Sequence, residues 1–193
     1  MNWIEQLLIV AGVSLDIFAT MECQGSVVAK IKKTALIKVS LLVCIWQTLI
    51  FSIGHFLSVL LLQKNRITLE EQVVGTGTAI LIYIGLGIHL IIKAVRNETF
   101  NERREENFNK RRIAYEILGT GIYTLLSGIA FGFLESGMIF SLFGIAVCSV
   151  LSVIMGTYTG YHYGFAQRKK VYEIGAALLW FAGADIIWKT WLR

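Results

Sequence analysis

The sequence predicts an all-α polytopic membrane protein whose six transmembrane helices form two inverted three-helix repeats. Three observations carry that prediction. Hydrophobic residues make up 55% of the chain and charged residues only 16%, and the charges bunch between long apolar runs, as expected of a chain whose solvent is lipid. Six runs reach the roughly 20 residues that a helix needs to cross a hydrocarbon core; they cover 4–25, 35–62, 73–93, 114–134, 138–167 and 172–192. A charged stretch, RNETFNERREENFNKRRIAYE, follows the third run, and an odd number of spans on either side gives related halves opposite orientations. The division is therefore 1–95, first repeat; 96–112, charged cytoplasmic linker; and 113–193, second repeat.

Span 1 holds the stretch AGVSLDIFATMECQG, with Asp16 and Glu22 inside an otherwise apolar run. It is read as retained, because Glu5 stands where a secretory signal would be basic and no small-residue cleavage site follows. Span 2 carries Gln47 and His55, and span 3 carries His89 and closes on Lys93. Span 4 contains LGTGIYTLLSGIAFG, which aligns with the span 1 stretch so that Asp16 faces Tyr123. In span 5, Gly156, Gly160 and Gly164 form a small-residue ridge for close helix contact, within one chain or between two copies in a homo-oligomer. Tyr158, Tyr161, His162 and Tyr163 at its end read as an interfacial aromatic belt. Span 6 carries Asp185 in WFAGADIIW. The chain has no proline, so any break in these helices must come from glycine, hydroxyl side chains or inserted groups.

Fourteen of the eighteen Lys and Arg residues fall on one side of the alternating spans; Lys64, Arg66, Lys189 and Arg193 fall on the other. The positive-inside rule then puts both termini outside the cytoplasm. The net charge of +5 resides at span ends, which argues for lipid headgroups and against nucleic acid as its partner. Cys23, Cys44 and Cys148 are isolated in apolar segments and read as small hydrophobes. There is no HExxH, GxSxG or paired-cysteine motif, so neither an enzyme nor a resident cofactor is expected.

An ionisable group at mid-membrane costs about 2.5 to 3.5 kcal/mol on insertion scales, which makes it a functional candidate. Asp16 leads on that ground. Cys23, seven residues on, shares its helix face to within about 20°, while Glu22 points about a third of a turn away. Glu22 also has an interfacial reading, paired with Lys30 or Lys32. Asp185 and Gln47 each have two readings, a place in a transport site or a hydrogen bond between helices. His55 and His89 are isolated near span ends and fit packing.

SLDIFA in span 1 resembles the signature of the MntP-type manganese efflux pump family, and the likeness continues through Gln47 to Gly54, GLGIHLI, the charged linker, SGIAFGF and the approach to Trp188. The resemblance implies a six-span exporter of Mn²⁺ in the bacterial cytoplasmic (inner) membrane, with the ion as transported substrate and an acidic residue in each half near its path. The first of these matches Asp16. At the second the chain has Tyr123, the acidic residue near the end of span 3 is Lys93, and Phe51 or a neighbour stands where span 2 has a proline. Carboxylates suit Mn²⁺ because it favours oxygen ligands. The expected set is Asp16 on the ion, Ser14 and Gln47 supplying neutral oxygens, Tyr123 completing or gating the site, and Glu22 or Asp185 restoring the absent charge. Gly12 and Gly121 or Gly128 would let backbones approach or turn carbonyls toward the ion. Two alternatives follow from the departures: export of another cation or small solute, and a non-transporting membrane partner with a degenerate site.

Overall fold

The computed structural model describes residues 3–64, 69–95, 110–134, 137–164 and 167–191. They form α1 (Trp3–Val27), α2 (Lys33–Lys64), α3 (Leu69–Val95), α4 (Lys110–Phe133), α5 (Met138–Tyr163) and α6 (Arg168–Trp191), with no β-strand among the described residues. Each helix is long and apolar enough to cross a bilayer, so the chain is an all-α multi-pass membrane protein. Of the expected linker 96–112, only 110–112 lie within the described residues, and there α4 has already begun. Helices α3 and α4 start before their apolar windows because a helix can continue into the polar interface, where hydropathy no longer marks it.

Span 5 is shorter than expected. Its helix ends at Tyr163, where Gly164 takes a positive φ of 68° and donates its N–H to the Gly160 carbonyl at 2.9 Å. Glycine reaches that conformation without a Cβ clash, so Gly164 is a helix stop and not the third member of a packing ridge.

Lipid offers no hydrogen bonds, and several hydroxyl side chains within the spans turn back on their own helices. Thr20 donates to the Asp16 carbonyl at 2.8 Å, Thr48 to Cys44 at 2.8 Å and Thr157 to Val153 at 2.7 Å. The outward face of α2 is a row of Leu41, Ile45, Leu49 and Ile53, each more than half exposed. Helix α1 is the opposite case, with 61% of its apolar window buried against 22% for α5. It is the central helix.

Helix α1 packs against α5 and α6, α2 against α4 and α5, and α3 against α4 and α6, with a lighter contact between α1 and α4. Each pair joins a helix before the linker to one after it, so neither set of three is a packing unit by itself. Exchanging α1 with α4, α2 with α5 and α3 with α6 turns this set of pairs into itself. The register agrees. Gly156 of α5 lies against the Phe18 carbonyl of α1, and Gly54 of α2 against the Leu125 carbonyl of α4; Phe18 and Leu125 are one position in the alignment that sets Asp16 opposite Tyr123. A Cβ at either glycine would overlap the facing oxygen. Gly160 meets the Glu22 carbonyl in the same way, so the ridge is used inside the chain, and a contact between copies would need another surface.

Candidate functional site

Asp16 sits on the central helix with 1% of its surface exposed. Its Oδ1 accepts a hydrogen bond from Lys93 Nζ of α3 at 2.9 Å, and its Oδ2 is buried without a hydrogen-bond partner. The same ammonium lies 4.4 Å from the Tyr123 ring centroid of α4 and 5.8 Å from that of Tyr172 on α6. A carboxylate taken out of water needs a countercharge, and an ammonium over ring faces is itself stabilised by their quadrupoles. Three helices thus bring one cation and two rings to the one buried aspartate of α1.

Lys93 also separates Asp16 from a cavity of about 170 Å³. Thr20 and Cys23 of α1 line it. Glu116, Gly119 and Thr120 of α4 and Arg168 and Tyr172 of α6 complete the lining. Gln24 Nε2 donates to Glu116 Oε2 at 2.7 Å, and the Arg168 guanidinium stands 5.5 Å from the Tyr172 ring. The lining residues come from the end of the bundle where the connections rich in Lys and Arg lie.

The other candidates disperse. Ser14 turns to Cys148 of α5, two residues and more than half a helical turn from the Asp16 face. Gln47 is wholly buried; its Nε2 donates to Thr120 Oγ1 at 3.0 Å and its Oε1 accepts from Thr124 Oγ1. That amide is a clasp between α2 and α4, with donor and acceptor both engaged. Glu22 is also wholly buried, its Oε1 accepting the Gln167 N–H at 3.2 Å and its Oε2 without a hydrogen bond, and the neighbouring charge is Arg168, not Lys30 or Lys32. Asp185 pairs with Lys189 at 2.8 Å, and Lys189 also meets Glu5. Glu5 is eleven residues from Asp16, about 16 Å along α1, so Asp185 cannot replace a charge missing beside Asp16. Gly12 faces Gly175 and Leu179 of α6, and Gly128 faces the Phe51 carbonyl. Helices α1 and α4 run unbroken past these glycines, which serve close approach instead of turning carbonyls to an ion. Among the described residues, no three His, Cys, Asp or Glu side chains converge.

The profile of a protein family described as "Mntp: Putative manganese efflux pump" matches residues 30–187. The chain belongs to this family. A "Putative manganese efflux pump MntP" of Citrobacter koseri is 27% identical, with 97% of each chain covered. A protein of the same description from Acetivibrio thermocellus is 24% identical over 97% of this chain and 91% of its own, and a "Probable manganese efflux pump MntP" of Escherichia fergusonii is 26% identical over 97% of both. No solved structure matches.

Within the MntP-family frame, two of the three departures noted in the sequence prove to be neighbours. Tyr123 and Lys93, each standing where the resemblance leads one to expect an acidic residue, touch one another beside Asp16. The sequence marks Lys93 as a charge flanking span 3 and as a departure from the acidic residue that the resemblance implies, but not as a partner of Asp16, and it does not single out Thr20, Glu116, Thr120, Arg168 or Tyr172. A signal existed for Lys93: it follows HLII with only Ala94 and Val95 left in the helix. The others are ordinary helix-end or hydroxyl residues, with nothing local to single them out.

Proposed function

We propose that this chain exports Mn²⁺ across the bacterial cytoplasmic membrane by alternating access of two inverted three-helix repeats, with both termini outside the cytoplasm. The observation that carries the reading is the buried Asp16 carboxylate, one oxygen without a partner, beside a cavity that Thr20, Lys93, Glu116 and Arg168 help to line, in a member of a manganese efflux family. A carboxylate oxygen suits a hard divalent cation. Water in the cavity and the Thr20 and Thr120 hydroxyls would complete its coordination, and Glu116 would draw it in. The exchange of halves that preserves the helix pairs, together with the matched Gly54 and Gly156 contacts, supports the inverted repeats. Under the positive-inside rule the cavity faces the cytoplasm, which is the loading side of an exporter.

The test is cellular manganese content under manganese stress in a bacterial host without its own exporter, comparing this chain, Asp16→Asn and empty vector. Lower manganese that depends on Asp16 is expected. Unchanged manganese, with the protein shown to be in the membrane, would remove the proposal. A second reading, export of another cation or a small solute, draws on the Lys93 ammonium and the neutral Tyr123 at the site. A substrate panel in vesicles separates the two.

A further inference from the structure

Asp16 finds its countercharge within the chain: the Lys93 ammonium is 2.9 Å from Oδ1, and the carboxylate is 1% exposed. A carrier must bring its site back across the membrane after releasing its cargo, and a bare carboxylate at this depth would make that empty state costly. Many designs could answer that cost with a second ion from the far side. This chain carries a cation of its own. Lys93 has a flexible four-carbon stem, its side chain is 28% exposed, and it lines the same cavity as Glu116.

We propose that Lys93 is a tethered counter-cation, its ammonium seated on Asp16 when no metal ion is bound and withdrawn into the cavity toward Glu116 when one binds. This rests on the reading of Asp16 as the carboxylate of a transported cation. Lys93 keeps its charge throughout, so no proton moves. Two consequences follow. The empty carrier reorients with Asp16 neutralised from within, so net efflux requires no exchange ion. The metal ion must also compete with the ammonium, and its apparent affinity is lowered by the fraction of time the pair is open.

The experiment is Mn²⁺ titration of the purified full-length protein, followed by electron paramagnetic resonance, with efflux from proteoliposomes measured alongside. Lys93→Gln should bind Mn²⁺ about tenfold more tightly than wild type, and Lys93→Arg should stay within about twofold. Asp16→Asn should not bind. Efflux by Lys93→Gln should need an exchangeable cation on the receiving side, and wild-type efflux should not. If wild type binds through Asp16 while Lys93→Gln binds equally or more weakly, the counter-cation is refuted and the manganese reading stands. If neither binds Mn²⁺, the manganese reading is refuted instead. The same titration with Mg²⁺, Co²⁺ and Zn²⁺ then decides: the inference holds if any of them prefers Lys93→Gln and falls if none does. Should Lys93→Gln not accumulate, labelling of wild-type Lys93 by a water-soluble amine reagent replaces it. Metal should raise that labelling severalfold, and unchanged labelling would refute the withdrawal.

Discussion

Adding one methyl group at Gly156, and separately at Gly54, tests both the packing and the internal correspondence of the fold. A Cβ at Gly156 would lie 2.5 Å from the Phe18 carbonyl oxygen, so α5 must move away from the central helix to restore van der Waals distance. The obstacle is backbone, which has no rotamer to yield. Overpacking costs about 1 to 3 kcal/mol, and this contact belongs in the upper half of that range. Helix propensity returns about 1 kcal/mol on replacing Gly by Ala, leaving a net loss of about 1 to 2 kcal/mol. Gly54→Ala meets the Leu125 carbonyl in the corresponding place and should lose a similar amount. Gly85, with nothing within 4 Å of its missing Cβ, is the control; Gly85→Ala should gain up to about 1 kcal/mol. Reversible unfolding in mixed micelles, with each variant compared to wild type, reads these differences directly. If Gly156→Ala and Gly54→Ala unfold with Gly85→Ala, the close approach of backbones is not what holds α1 to α5 and α2 to α4.

Three further outcomes are expected. In a double-mutant cycle, Asp16→Asn with Lys93→Gln should be less destabilised than the sum of the singles by about 1 to 3 kcal/mol, below the value for a fully buried pair because Lys93 borders the cavity; additive losses in an unfolding assay would deny the ion pair. Gln47→Ala should lower stability by about 1 kcal/mol while Mn²⁺ affinity stays at the wild-type value, and a large fall in affinity would instead make its carbonyl a ligand. Asp185→Asn, which breaks a half-exposed pair with Lys189, should change stability by less than about 1 kcal/mol and leave manganese efflux intact. Lost efflux in the cellular assay would return Asp185 to the transport path.

The six helices, and Asp16 as the residue to explain, were legible in the sequence because bilayer thickness and transfer free energy act on each segment locally. The composition of the site was not. Ser14, Gln47, Glu22 and Asp185 all had suitable chemistry, but helix rotation aimed Ser14 at α5, two threonines engaged Gln47, the Gln167 N–H met Glu22, and the packing of α6 set Asp185 and Lys189 beside Glu5 at the far end of α1. Hydropathy scores the cost of a polar group and says nothing of what will meet it.

Lys93 marks the boundary between the two kinds of information. In the sequence it is a basic residue at a span end, counted toward orientation and standing where the resemblance implies an acidic one. In the folded chain it reaches a carboxylate 77 positions away, because α3 and α6 close around the central helix and leave Asp16 no water to face. Local composition determined that this chain crosses a membrane six times and carries a charge inside it. Only the packing of helices from opposite halves decided which cation answers that charge, since an ion pair depends on distances between helices that no single segment encodes.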